Sequence, residues 1–230
     1  MKKIVVLTGA GISAESGLKT FRDADGLWEG HDVMQVASPQ SFFENPELVL
    51  EFYNQRRRQL ASVSPNKAHL ALVELERYFD VSIITQNVDN LHEQAGSNHV
   101  THLHGELLKA RCTRSEDFVI DWKSDLNLGD LSENGHQLRP HIVWFGEQVP
   151  FLQSAIEITA TANILIIVGT SMQVYPAAGL INFVGLGTPI YFVDPRPNVA
   201  AGDYNDLKII TETAVNGLPI LVADLIGTAP

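Results

Sequence analysis

Cysteine is almost absent from this chain of 230 residues, because Cys112 is the only one. A single cysteine excludes an internal disulfide framework and any metal site built from several thiolates. Basic residues are also in the minority: 16 Lys and Arg stand against 27 Asp and Glu, a formal net charge of -11. Nucleic-acid binding needs a basic surface, so this charge argues against a nucleic-acid partner and favours attraction of a basic peptide.

Long hydrophobic runs are missing as well. The first apolar stretch ends at Thr8 and is too short for a signal peptide or a membrane span. We therefore expect a cytoplasmic protein with no membrane partner. The length and a hydrophobic content of 45% suffice to bury the core of one domain, and we expect a monomer.

What the sequence does contain is an alternation of short β-branched runs and longer helical patterns. The predicted strands are Lys3–Thr8, Val81–Thr85, Asn163–Val168 and Pro189–Val193, and the predicted helices are Asn66–Tyr78, Phe151–Thr161, Pro176–Gly185 and Leu218–Ile226. Strands that are apolar throughout are typical of a parallel sheet covered on both faces. The predicted fold is therefore α/β, a Rossmann-like parallel sheet with helices on both faces.

Two stretches interrupt this alternation, at about residues 19–60 and 107–139. We predict that they form a small lobe inserted into a single domain, whose sheet part comprises about residues 1–18, 61–106 and 140–230. Within the second stretch Phe118, Ile120 and Trp122 alternate as in a strand, and with Leu126 they would give the lobe an apolar core.

A glycine-rich turn follows the first predicted strand. Gly9-Ala10-Gly11-Ile12-Ser13-Ala14 fits G-x-G-x-x-A, in which small residues let the backbone approach a pyrophosphate at a helix N-terminus. A tight turn without a ligand explains a lone motif equally well. A dehydrogenase would next show a strand ending in an acidic residue, whereas residues 20–28 have no strand character. The turn is thus compatible with NAD binding but disfavours hydride transfer.

Five separate motifs occur in a characteristic order: GAGISAESG with FRDADGLW at 9–28, TQNVDNLHEQAG at 85–96, HLHGEL at 102–107, VWFGE at 143–147 and GTSMQVYPAAGL at 169–180. Together they resemble the sirtuin family, and most closely its bacterial protein deacylases of the class that includes the human mitochondrial desuccinylase. The resemblance implies an NAD-dependent enzyme that removes acyl groups from protein lysines. It also implies that nicotinamide and O-acyl-ADP-ribose are released.

The resemblance assigns catalytic roles to His104 and Asn87. His104 would act as the base on the ribose hydroxyls, a task suited to a side chain whose usual pKa is about 6.5. Asn87 and Gln86 would contact the nicotinamide ribose. His102 and His69 are expected to be hydrogen-bonded core histidines instead.

The carboxamide of nicotinamide would be bound by Asp89, near Ile12 and Val88, because a carboxylate and backbone groups can satisfy its donors and acceptor. Phe21 would shield the ribose and Arg22 would reach the diphosphate. The predicted cofactor site also includes Gly9, Ala10, Gly11, Ile12, Glu15, Trp28, Gly169, Thr170, Ser171, Phe192, Val193, Asp194 and Ala214. Plain turn chemistry would explain the Gln86–Asp89 segment by itself.

One segment implied by the resemblance lies on the substrate side of the site. Val143, Phe145 and Gly146 resemble the segment that pairs with the peptide backbone, which would give broad sequence specificity. A half-buried edge strand would have the same pattern.

On the cofactor side, the family usually has Asn where Phe192 aligns, so Asp194 could instead accept hydrogen bonds from the adenosine ribose.

Tyr53 and Arg56 lie three residues apart on a helix that begins at Asn45-Pro46, and they therefore share a face. In the acidic-acyl branch of the family such a pair binds the carboxylate of succinyl- or malonyl-lysine, beside a small residue that Ala37 would provide here. We expect acidic acyl groups to be favoured and acetyl-lysine to be accepted. A solvated helix face is the alternative, because more arginines follow.

Most sirtuins bind a structural zinc through two cysteine pairs, so the lone Cys112 predicts no metal site. Two other functions fit the same motifs. An NAD glycohydrolase or ADP-ribosyltransferase would cleave the same nicotinamide bond. A non-catalytic NAD-binding module is the second, although the presence of His104 and Asn87 argues against it.

Overall fold

The computed structural model describes residues 1–19, 30–115, 117–200 and 202–228, together with the backbone of residues 27–28. The strands are β1 (Lys3–Thr8), β2 (Leu27–Trp28), β3 (His31–Asp32), β4 (Asp80–Thr85), β5 (Val100–His102), β6 (Gly105–Cys112), β7 (Val119–Asp121), β8 (Leu138–Ile142), β9 (Ile164–Val168), β10 (Ile190–Val193) and β11 (Leu207–Ile210). The α-helices are α1 (Gly11–Ala14), α2 (Val33–Val36), α3 (Pro39–Glu44), α4 (Pro46–Leu60), α5 (Lys67–Leu75), α6 (Leu91–Ala95), α7 (Leu152–Ala160) and α8 (Ala214–Gly227), and Ala177–Phe183 forms a 3-10 helix.

The main sheet has six parallel strands in the order β11-β10-β9-β1-β4-β5. From β1 the chain builds the sheet outward through β4 to β5 and then returns to the other side of β1 through β9. The strand order therefore reverses between β1 and β9, which is the place where open α/β sheets bind ligands. All four predicted strands are confirmed to within a residue at their ends, and so is the Rossmann-like fold class.

Both faces of this sheet are covered by helices. Along β1, Ile4 and Val6 belong to the core that includes α5 and α8, whereas Val5 and Leu7 belong to the core that includes α7 and the 3-10 helix. All four side chains are almost completely buried. Because both sets of alternating positions are buried, the strand reads as a continuous apolar run.

The predicted helices are found with shifted ends. The last one begins at Ala214 rather than Leu218, so Pro219 lies inside α8 instead of near its start. The segment after Pro176 folds as a 3-10 helix rather than an α-helix. At the start of α5, Asn66 and His69 form a capping box: the Asn66 side chain accepts from backbone N–H groups of the first turn, and the His69 side chain accepts from the Asn66 N–H.

A second, antiparallel sheet has the order β7-β6-β8 and covers residues 105–142. Its apolar core contains Leu50, Ala110, Cys112, Leu126 and Leu138, and Phe118, Ile120 and Trp122 pack against this core as expected. The proposed division of the chain into a sheet domain and an inserted lobe stays a prediction. Among the described residues, no helix has the length and apolarity needed to cross a membrane.

Candidate active site

A cavity of about 510 Å³ opens at the carboxyl ends of the parallel strands. Its wall includes the turns that follow β1, β4 and β9, and the side chain of Asp194 after β10. The reversal of strand order lies between β1 and β9, so loops that leave these two strands diverge and leave a crevice. The motifs that lie far apart in sequence therefore converge on one cavity.

Most predicted site residues line this cavity. They are Gly9, Ala10, Gly11, Glu15, Ala37, Tyr53, Arg56, Gln86, Asn87, Val88, Asp89, His104, Val143, Phe145, Gly146, Gly169, Thr170, Ser171, Asp194 and Ala214. The side chains of Ile12, Phe192 and Val193 do not line it, because each is completely buried in one of the two sheet cores. Phe21 and Arg22 lie outside the described residues, as does the side chain of Trp28.

The two glycine turns at this crevice are packed against each other. The Gly11 N–H donates to the Gly169 carbonyl at 2.7 Å, and Gly169 adopts the left-handed conformation with φ of 64°. A Cβ on Gly9 or Gly11 would come within 2.7 Å of atoms of Thr170 or Gly169. Glycine is therefore needed at these two positions for the close contact between the turns. Because α1 is a single turn of four residues, the expected contribution of a helix N-terminus is small.

Asn87 is held in place by hydrogen bonds on its main chain and its side chain. Its N–H donates to Thr85 Oγ1 at 3.0 Å, and its Nδ2 donates to the Gly9 carbonyl and to Ser13 Oγ, both at 3.2 Å. The Asn87 carbonyl accepts a hydrogen bond from His102 Nδ1 at 2.9 Å. Both amide hydrogens are thus directed at the protein, which leaves Oδ1 as the acceptor that this side chain presents to a ligand.

His102, expected to be a core histidine, has a defined partner on each ring nitrogen. Its Nε2 lies 2.8 Å from Glu93 Oε1 and its Nδ1 contacts Asn87. Burial alone would lower the pKa of His102, but the Glu93 carboxylate and the Asn87 carbonyl raise it above its usual value. A protonated His102 can donate to both partners at once, so it fixes the backbone of Asn87.

His104 is half-buried at the start of the second sheet, with its Nδ1 3.1 Å from the Gln86 carbonyl. A carbonyl accepts only, so Nδ1 carries the hydrogen and Nε2 keeps its lone pair. Burial lowers the pKa of His104, although the bond to Gln86 offsets part of this effect. The neutral side chain is therefore a base at neutral pH.

Asp89 lies beside Asn87 and is only 7% exposed. Burial raises the pKa of its carboxyl group, while hydrogen bonds from Leu91 N and Ser13 act in the opposite direction. Ser13 therefore contacts both Asn87 and Asp89, and it lines the cavity. Sequence reasoning missed Ser13, although it stands within the quoted glycine motif.

Tyr53 and Arg56 both reach the cavity from α4. Tyr53 is fully buried, which raises its pKa, and its hydroxyl accepts a hydrogen bond of 2.9 Å from Trp144 Nε1. Arg56 is half-buried, with its Cζ 4.3 Å from the centre of the Phe52 ring. The alternative of a solvated face therefore does not describe this pair. It does describe Arg58, whose side chain is 50% exposed.

The VWFGE segment follows β8 without continuing it as a regular strand, because β8 ends at Ile142. Its backbone is tied to neighbouring parts of the site: Val143 N donates to the His104 carbonyl at 2.9 Å, and Phe145 N donates to the Ala37 carbonyl at 3.0 Å. The Phe145 side chain is 45% exposed at the cavity. This segment therefore connects His104 to Ala37, the small residue that the resemblance places beside an acyl group.

The residues present do not fit the four-thiolate zinc site of the family. Buried Cys112 accepts a hydrogen bond from Arg114 N at 3.4 Å and contacts Ser132 Oγ at 3.6 Å, and the chain has no second thiol. Across the described ranges, no group of three or more His, Cys, Asp or Glu side chains could hold a metal ion. The absence of a metal stays a prediction for chemical analysis.

Comparison with known proteins points to one family. The model of the Sir2 family matches residues 9–176. A Helicobacter pylori protein called NAD-dependent protein deacylase is 57% identical over 229 residues, which is 100% of both chains. A relative of the same description from Bacteroides thetaiotaomicron is 52% identical over 86% of this chain and 87% of its own.

A solved structure of a Sir2 homologue in complex with NAD matches with a TM-score of 0.87 and 38% identity. The match covers 100% of this chain and 91% of the homologue. The family model covers most of the chain, and the relatives match it at high identity along nearly its whole length. The chain therefore belongs to the Sir2 family.

Proposed function

We propose that this chain is an NAD-dependent protein-lysine deacylase that prefers acyl groups ending in a carboxylate. Membership of the Sir2 family and relatives named as NAD-dependent protein deacylases support the general activity. The preference for succinyl or malonyl over acetyl is the finer part of the proposal. The observation that carries it is the placement of Tyr53 and Arg56 together on the wall of the cavity that contains His104.

The cavity suits NAD, which when bound supplies an electrophilic ribose carbon with nicotinamide as the leaving group. The backbone of Gly9–Gly11 and the Gly169–Ser171 turn would hold the phosphates, because both turns line the cavity. Asn87 would accept from a ribose hydroxyl through Oδ1. Asp89 would bind the carboxamide in a site that excludes water.

The proton transfer is assigned to His104. Its Nδ1 donates to the Gln86 carbonyl, so Nε2 is the atom that can take a proton from a ribose hydroxyl. The lowered pKa keeps this nitrogen unprotonated at neutral pH. We expect the imidazole to need no rearrangement before it acts, because the Gln86 carbonyl already sets its tautomer.

The acyl pocket combines an apolar wall with two polar groups. Val33, Ala37, Leu107 and Ile142 line the cavity near α4, and they suit the methylene groups of an acyl chain. The Arg56 guanidinium and the Tyr53 hydroxyl can both donate to a distal carboxylate. An acyl group that ends in a carboxylate is favoured over one without, because a hydrogen bond from the Arg56 guanidinium to a carboxylate is charge-assisted and roughly twice as strong as a neutral one.

One assay separates the proposal from its competitors. The protein is incubated with NAD and peptides carrying succinyl-, malonyl- or acetyl-lysine, and nicotinamide and acyl-ADP-ribose are both followed. We expect both products, with kcat/KM higher for the acidic acyl groups. Nicotinamide without deacylation would favour the glycohydrolase, and neither product would favour a binding module.

The role of Arg56 is tested by Arg56→Met, which keeps much of the length and removes the charge. Loss of a hydrogen bond to a charged group costs about 1.5–3 kcal/mol, so desuccinylation should fall by roughly 10- to 100-fold and deacetylation much less. Arg58→Met is the matched control, because Arg58 is on the same helix but pairs with Glu51 and Asp125. Equal losses on both substrates in Arg56→Met would contradict the assignment.

A further inference from the structure

Trp144 connects the peptide-binding segment to the acyl pocket. Its indole Nε1–H donates to the Tyr53 hydroxyl at 2.9 Å, across a sequence separation of 91 residues. Its side chain is 2% exposed and its ring centre lies 6.3 Å from that of Tyr53. The indole therefore has a fixed orientation, and its only hydrogen-bond donor is used on the proposed acyl-binding residue.

The orientation of Trp144 is fixed in turn by Arg139. The guanidinium carbon of Arg139 lies 3.3 Å from the centre of the indole ring, as in a stacked cation–π pair. Arg139 also forms two hydrogen bonds with Glu147, at 2.6 and 3.1 Å. The other Glu147 contacts are with Arg111 at 2.9 Å and with the Trp144 backbone N–H at 2.8 Å.

These contacts form a continuous connection from Glu147 through Arg139 and Trp144 to Tyr53. Burial would raise the pKa of Glu147, but the hydrogen bonds and charge of Arg139 hold it below its usual range. The Glu147 carboxylate is thus charged. It balances the positive charge that the Arg139 guanidinium keeps while it stacks on the indole. A buried pair with several hydrogen bonds holds its geometry more tightly than an exposed pair does.

We propose that Trp144 is a positioning residue that sets the acyl-chain preference of the enzyme through Tyr53. A carboxylate only accepts hydrogen bonds, so the Tyr53 hydroxyl would donate its O–H to a substrate carboxylate while its oxygen accepts from the indole. The raised pKa of Tyr53 keeps that hydrogen on the phenol, since a phenolate would repel a carboxylate. Trp144 therefore holds the phenol oxygen in one position at the pocket wall.

This inference rests on the proposed preference for acidic acyl groups. It goes further in naming the residue that orients the phenol, and in linking that residue to the segment proposed to bind the peptide backbone. Arg139 does not line the cavity, whereas Trp144 and Glu147 do. A change at Arg139 can therefore reach the substrate only through its neighbours.

The first test is Trp144→Phe, which keeps an aromatic ring for Arg139 and Phe42 to pack against but removes the N–H. One neutral hydrogen bond contributes about 1 kcal/mol, so the ratio of kcat/KM for succinyl over acetyl peptide should fall roughly fivefold. The change should appear in KM for the succinyl peptide. Activity on the acetyl peptide should fall less than activity on the succinyl peptide, whereas a general loss of structure would lower both equally.

Tyr53→Phe supplies the double-mutant cycle. Once the phenol is absent, adding Trp144→Phe should cause no further loss of selectivity, because the hydrogen bond has already been removed. Additive losses would show that Trp144 contacts the acyl group independently and would overturn the inference. Unchanged selectivity in Trp144→Phe alone would overturn it as well.

Arg139→Lys is the second variant, in case the first does not fold. It keeps the charge for Glu147 but lacks the planar group that stacks on the indole. Selectivity should fall here too, with the thermal melting temperature recorded beside it. Full selectivity in a folded Arg139→Lys variant would contradict the proposal. If the wild type itself shows no acidic-acyl preference, the proposed function fails, and that outcome is distinct from a failure of the variants.

Discussion

Acidification is expected to destabilise the fold through two buried histidines, His69 and His92. Both are completely buried, and their ring centres lie 5.0 Å apart. His69 Nδ1 accepts from the Asn66 N–H, and His92 Nε2 contacts Thr8 Oγ1 at 3.0 Å. Within the described residues, His69 Nε2 and His92 Nδ1 have no hydrogen-bond partner. Protonation would place two charges side by side in the core.

The size of the effect follows from the pKa values. Burial lowers the pKa of His69 from 6.5 to about 4, and burial together with the charge of His69 lowers that of His92 to about 3. The unfolded chain therefore binds protons below pH 6.5 that the folded chain does not. Each histidine should reduce the free energy of unfolding by up to about 1.4 kcal/mol per pH unit as the pH falls from about 6.5 to about 4. Together the two histidines would lower the free energy of unfolding by an amount that is a large fraction of the stability of a typical domain.

The assay is urea unfolding at pH values of about 7.5, 6.5, 5.5 and 4.5, with His69→Gln as the test variant. Glutamine is favoured at this position of a capping box, so the cap is kept while the titrating group is lost. Carboxylates titrate in both proteins and cancel in the comparison. His99→Gln, at an exposed site, serves as the control. Below about pH 6.5 the slope of stability against pH should be shallower in His69→Gln, by roughly 1 kcal/mol per unit. Equal slopes in this range would refute the reasoning.

Three further predictions concern the site and the second sheet. His104→Ala should abolish formation of the deacylated peptide and O-acyl-ADP-ribose, while calorimetry still detects NAD binding. Because burial lowers the pKa of His104, the wild-type kcat/KM should decline only below about pH 6.5. Gly169→Ala would place a Cβ 2.3 Å from Ile12 N and should weaken NAD binding by at least about tenfold. Gly187→Ala, which shares a positive φ but has nothing within 4 Å, should leave NAD binding unchanged. Metal analysis should find far less than one zinc per chain, since Cys112 has no second thiol to pair with, and near-stoichiometric zinc would contradict this.

The parallel sheet could be predicted because strands covered on both faces leave a clear signature, a short apolar run that ends in a glycine or polar turn. The same signature hides which side chains face which core. The resemblance places Ile12, Phe192 and Val193 in the cofactor site, but their side chains are completely buried in the two sheet cores, so any contact that they make with a cofactor must come from their backbone. The sequence predicts a start at Leu218 rather than Ala214, because the actual cap residue, Thr213, makes no side-chain capping bond and a proline such as Pro219 is typical of the first turn of a helix rather than its second.

The network around the acyl pocket could not be predicted in the same way. Tyr53 and Arg56 were found because they are three residues apart on one helix, a separation that a sequence displays directly. The bond from Trp144 to Tyr53 joins residues 91 positions apart and depends on how α4 packs beside β8. Ser13 was overlooked for a different reason, since its contacts with Asn87 and Asp89 arise only when the turns after β1 and β4 meet.

The Glu147 carboxylate has a mechanical consequence for catalysis. It ties residues 143–147 to Arg111 on β6 and Arg139 on β8, so this segment is anchored to the antiparallel sheet. The glycine turns, in contrast, are anchored to the parallel sheet. With NAD on the glycine turns and the peptide on residues 143–147, as proposed, a displacement of one sheet against the other would change the distance between NAD and the acyl-lysine. The rate of the chemical step would then depend on how firmly the sheets are held together, and residues far from the cavity could alter it.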